Sequence, residues 1–129
     1  MANATTLKLM LVGDLILDEP DADTFFEPAR SILQQADVLV GQVEVPHTRR
    51  GRENTSDVPA PPSDPDNLTA LKHACFHVAT LAGNHISDAG SVGMAIGTLK
   101  IGKLHNVDLG DGVSTHAGRV VAYLHGGRQ

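Results

Sequence analysis

The sequence predicts an α/β domain, a mainly parallel sheet with flanking helices. Three observations point there. Short apolar runs of strand length recur along the chain, turn residues close each of them, and the connections between them are long enough for crossovers. Strands joined in this way are normally parallel with right-handed connections.

Each element follows from its own residues. Residues 7–12 (LKLMLV) are nearly continuously apolar and stop at Gly13-Asp14, which reads as a strand covered on both faces. Thr24-Phe25-Phe26-Glu27 has the form of a capping box, and Phe26, Ala29, Ile32, Leu33 and Ala36 follow at helical spacing. Pro28 must then lie in the first turn. Residues 37–45 (DVLVGQVEV) predict a second strand. A loop over 46–67 follows, holding five of the seven prolines together with Arg49, Arg50 and Arg52. A Pro-rich connection of that length inside one domain is functional or disordered.

Residues 67–74 predict a short helix, and 77–82 (HVATLA) a third strand ending in Gly83-Asn84-His85. A further helix, capped by Ser87 or Asp88 and running to about Leu104, carries Gly90, Gly93, Gly97 and Gly102, each costing about 1 kcal/mol relative to Ala, so it would depend on packing. Residues 107–109 and 119–125 predict two more strands.

Composition narrows the function. With 129 residues there is room for one core. Apolar residues make up 41 %, ordinary for a globular chain, while aromatics are 3 % and the net charge is −5. Few stacking platforms and an acidic balance speak against nucleic acid as a partner. No run reaches the ~18 apolar residues of a membrane span. The first residues lack a basic segment ahead of the apolar run, and a lone Cys75 suits a reducing compartment, so the expected location is cytoplasmic. The sequons at Asn54 and Asn67 then read as chance matches.

The polar residues at the strand ends carry the chemistry. Asp14 follows the first strand, Glu44 closes the second, and Asn84 and His85 follow the third. In a parallel sheet these ends share one edge, where ligands of open α/β sheets gather. Carboxylate, amide and imidazole donors without thiolate suit Mg²⁺, Mn²⁺, Fe²⁺ or Zn²⁺. A two-metal centre of such donors would favour displacement at phosphorus.

These residues resemble a known family. Gly13-Asp14, then Val43-Glu44-Val45-Pro46-x-Thr48, then Ala82-Gly83-Asn84-His85-x-x-Asp88-x-Gly90, with Thr98-Leu99 and Gly110-Asp111-Gly112 beyond, look like the CapA-type bacterial capsule (poly-γ-glutamate) synthesis family. That family belongs to the calcineurin-like metallophosphoesterase superfamily. The resemblance spans about residues 7–112. It implies the first half of an αββα sandwich, with Asp14, Glu44 and Asn84 as metal ligands. It further implies His85 beside a substrate phosphate, and Asp88 orienting His85 or capping the next helix.

Two positions depart from the family pattern: Gln42 stands where it usually has Asn, and Gly83 replaces the first Asn of A-N-N-H. The superfamily also places further histidine ligands in a second half of the fold. The expectation is therefore a single, truncated CapA-like domain over 1–129, with His116 and His125 as ordinary histidines. Half of a two-sheet fold would expose an apolar face, which a homo-oligomer could bury.

Other signals are set aside. Gly97 to Leu104 nearly spells a phosphate-binding loop but has Leu104 in place of the hydroxyl residue and follows no strand. His73 and His77 have i,i+4 spacing, yet His77 opens a strand. Cys75 reads as a small packing residue, and the three arginines as a solvated loop rather than an anion trap. The expected function is capsule biosynthesis using a divalent metal site to hydrolyse a phosphate ester or handle an anionic capsule precursor. The alternative is an inactive homologue serving as a metal- or partner-binding α/β module.

Overall fold

The computed structural model describes residues 6–53, 58–81, 83–90 and 121–123. Its sheet contains β1 (Leu9–Leu15), β2 (Val38–Val43), β3 (Val78–Thr80) and β4 (Val121–Tyr123), in that spatial order. β1, β2 and β3 run parallel; β4 pairs antiparallel with β3, Ala79 opposite Ala122. The chain is therefore α/β with a mainly parallel sheet, as its alternation of apolar runs and crossovers predicts. Within the 119–125 run the pairing is with β3 in the opposite direction, so the rule for crossover strands does not extend to it.

The two described crossovers hold little α-helix. The first has 3₁₀ turns at Ala22–Phe25 and Glu27–Ala29, then α1 (Arg30–Leu33). The capping box does not form: the Thr24 hydroxyl donates to the Asp21 carbonyl at 2.6 Å. Pro28 explains the delay. It has no N–H to give and its ring excludes an α-turn behind it, so the chain coils tightly until Arg30. The second crossover has a 3₁₀ turn at Pro65–Leu68, capped by Asp64, and α2 (Thr69–His73). It ends with the Cys75 N–H on Lys72 O and the Phe76 N–H on Leu71 O, the hydrogen bonds of a Schellman motif. Cys75 takes the left-handed position (φ 62°) and is exposed, so it is a turn residue and not the packing residue expected.

The core joins both crossovers to the sheet. Leu39, Leu68, Leu71, Ala74 and Ala79 have no exposed surface, and Phe26 and Phe76 meet at 5.3 Å between ring centroids. Met10 and Val12 pack on this core, whereas the alternate residues Leu7, Leu9 and Leu11 are exposed. β1 lies at the sheet edge, and among the described residues it is covered on one face, not on both as its apolar run suggests. His73 pairs with Asp23 at 2.9 Å and His77 accepts the Leu39 N–H at 3.0 Å, so the two share no face. Asn67 Nδ2 donates to the Leu17 and Glu19 carbonyls at 2.8 and 2.9 Å, which leaves that sequon nitrogen engaged.

The Pro-rich loop is pinned at its base. His47 and Ser63 form a parallel bridge, with the Thr48 N–H on Ser63 O and the Ser63 N–H on Pro46 O, both 3.0 Å. No described helix is long and apolar enough to cross a membrane. The expected strand at 107–109, most of the 88–104 helix, Thr98-Leu99, Gly110 to Gly112, His116, His125 and Asn54 lie outside the described residues.

Candidate functional site

Asp14 owes its position to a β-bulge. Val12 pairs with Gly41 and Leu15 with Val43, so Gly13 and Asp14 together oppose the single residue Gln42. Asp14 takes φ 52°, uncommon for a residue with a side chain. Its N–H, which the ladder no longer uses, donates to Gln42 Oε1 at 2.8 Å. Two residues along the same face of the chain, Glu44 Oε2 accepts from Gln42 Nε2 at 2.5 Å. Gly83 lies against this pair: a Cβ there would come within 2.6 Å of Gln42 Nε2 and 2.9 Å of Glu44 Oε2.

The third strand end supplies His85, in a 3₁₀ turn at His85–Ser87. Its Nδ1 lies 2.7 Å from Asp88 Oδ2, and Asp88 is buried. The carboxylate can only accept, so Nδ1 carries the proton. Asp14, Glu44 and His85 line one cavity of about 360 Å³. Asp18 lines it as well, and no Lys or Arg does so among the described residues. The rest of the lining is apolar, from Ile16, Val45 and residues 58–61 of the Pro-rich loop. Asn84 is exposed beside His85 and is not part of the lining. Among the described residues no three His, Cys, Asp or Glu side chains stand close enough together to hold a metal ion.

The family model described as "Bacterial capsule synthesis protein PGA_cap" matches residues 8–127. This chain belongs to the bacterial capsule synthesis protein family. No curated protein and no solved structure matches it.

Within this capsule synthesis family member, three residues that the motif reading passes over stand out in the structure. Asp18 adds a third carboxylate to the cavity, four residues past Asp14 along an irregular segment that no strand period predicts. Gln42 was legible only as a departure from the family pattern, although its i,i+2 relation to Glu44 on one strand places both on one face.

His47 is the third. It is almost fully buried, and Nδ1 lies 3.0 Å from the Val45 carbonyl, an acceptor, so Nδ1 carries the proton. Nε2 has no hydrogen-bond partner among the described residues, and burial pushes the pKa down from 6.5 to about 4. His47 is therefore neutral at pH 7. Arg49 forks onto Asp64 at 2.7 Å and Asp66 at 2.8 Å, and is thereby committed within the loop.

Proposed function

We propose that this capsule synthesis family member binds a divalent cation (Mn, Fe, Zn or Mg) and a phosphate ester or similar anionic capsule precursor in the cleft at its strand ends. One observation carries the reading: Asp14, Glu44 and His85, from three separate strand ends, line a single cavity. Its carboxylates, with no Lys or Arg among the described lining, would repel an anion unless a cation lay between. The donor chemistry fits a hard or borderline cation, with Asp14 and Glu44 as ligands and the neighbouring Asn84 as a third. These side chains would draw together on binding, since they are not closed into a ligand group beforehand.

The cation would supply charge stabilisation to phosphoryl oxygens. The protein's own residues supply the rest. His85, held in one tautomer by Asp88, would exchange a proton with the ligand. Ile16, Val45 and residues 58–61 would take the apolar part of a ligand.

Hydrolysis of an aryl phosphate with Mn²⁺ tests this, comparing wild type with Asp14→Ala and Asn84→Ala. A Mn²⁺-dependent rate lost in both variants supports it; the same background rate in all three proteins rejects turnover. A second reading, a binding module without turnover, is favoured by exposed Leu9 and Leu11 of the edge strand, with exposed Leu7 just before it, where a partner or second copy could pair. A Mn²⁺-dependent rise in Tm without hydrolysis would favour that reading.

A further inference from the structure

Gln42 is the single residue facing the bulge that carries Asp14, and its amide also reaches Glu44. The carbonyl end takes the N–H that the bulge removes from the ladder, at a residue whose positive φ needs support. The amino end takes one oxygen of Glu44. An amide is the side-chain group that can do both, because it presents an acceptor and a donor on one planar unit. Gly83 completes the arrangement: any side chain there would enter the space of Gln42 Nε2 and Glu44 Oε2.

We propose that Gln42 is the positioning residue of this site, setting Asp14 and Glu44 relative to one another and leaving Glu44 Oε1 as the carboxylate oxygen for a cation. The part concerning the cation rests on the metal-binding reading above; the part concerning Asp14 does not. Groups that orient ligands in this way typically change metal affinity 10- to 100-fold when removed.

The test uses the full chain and two readouts. The first is hydrogen exchange of the Asp14 amide without metal. Gln42→Met keeps the length of the side chain but has no acceptor comparable to the amide oxygen, so exchange should accelerate tenfold or more. Gln42→Glu keeps the acceptor and should restore protection. Exchange in Gln42→Met equal to wild type would overturn the proposal, since a space-filling role predicts that result.

The second readout is Mn²⁺ binding by calorimetry. Gln42→Met should bind about tenfold or more weakly. Gly83→Ala should do the same with Gln42 still present, because its methyl would stand 2.6 Å from Gln42 Nε2. Wild-type affinity in both variants would overturn the role toward Glu44. If wild type itself takes up no Mn²⁺, the metal reading fails, and the Asp14 exchange rates still decide whether Gln42 positions that residue.

Discussion

Gly51 packs so closely on Ala89 that a Cβ at Gly51 would lie 2.1 Å from the Ala89 carbonyl oxygen. The Pro-rich loop thereby rests on the backbone next to Asp88, which in turn holds His85. The loop and the His85–Ser87 turn are one packed unit, although nearly 40 positions separate Gly51 from Ala89 in sequence.

Gly51→Ala is accordingly expected to be severe. Gly51 has φ 96°, and the atom it would strike is backbone, which cannot rotate away. Strain of this kind costs about 1–3 kcal/mol before the overlap is counted. Urea unfolding should show a loss of about 2 kcal/mol or more, with faster amide exchange at residues 85–90. An unchanged unfolding midpoint would disprove the packing.

Asp88→Asn tests the His85 tautomer. The amide can offer an N–H to Nδ1, which moves the ring proton to the other nitrogen. Any Mn²⁺-dependent aryl phosphatase rate should fall by at least about tenfold, while Mn²⁺ affinity stays at the wild-type value. Asp88→Ala removes the 2.7 Å bond altogether and should also cost about 1–3 kcal/mol in stability.

His47 predicts an acid sensitivity of the loop base. Its pKa lies at about 4 in the folded protein against 6.5 when exposed, so the unfolded chain takes up the proton first as pH falls. Its contribution is complete above pH 6.5 and is lost as pH drops through that window to about 4, on the order of 3 kcal/mol in total. His47→Gln should unfold with a shallower pH dependence than wild type between pH 7 and 4. Parallel profiles would show that His47 does not titrate as a buried group.

The two faces of the described fold should respond oppositely to substitution. Phe76→Ala removes a buried ring that packs on Phe26 and should cost about 3–5 kcal/mol. Leu11→Ser, on the exposed face of β1, should stay within about 0.5 kcal/mol of wild type. If sedimentation shows an oligomer that Leu11→Ser dissociates, the exposed row is its interface.

Much of this protein is set by local pattern. Apolar runs at 7–12, 37–45 and 77–82 determined three strands, because continuous β-branched and aliphatic segments of that length suit a buried sheet. Their polar endings determined which residues could meet, since parallel strands bring their C-terminal ends to one edge. Asp14, Glu44 and His85 were legible for that reason, and so was the family.

Tertiary structure decided what depends on contacts between distant residues. Pro28 delayed a helix that spacing alone would start earlier, and the chain at Pro65–Leu68 took a 3₁₀ turn before α2. No described element packs on the second face of β1, which no local pattern encodes, so Leu9 and Leu11 are exposed. The bulge at Gly13-Asp14 needs Gln42 opposite it, and Gln42 in turn needs an open space at Gly83. Three residues far apart in sequence thus define one geometry, because a hydrogen bond and a steric limit act over ångströms in space and not over positions along a chain.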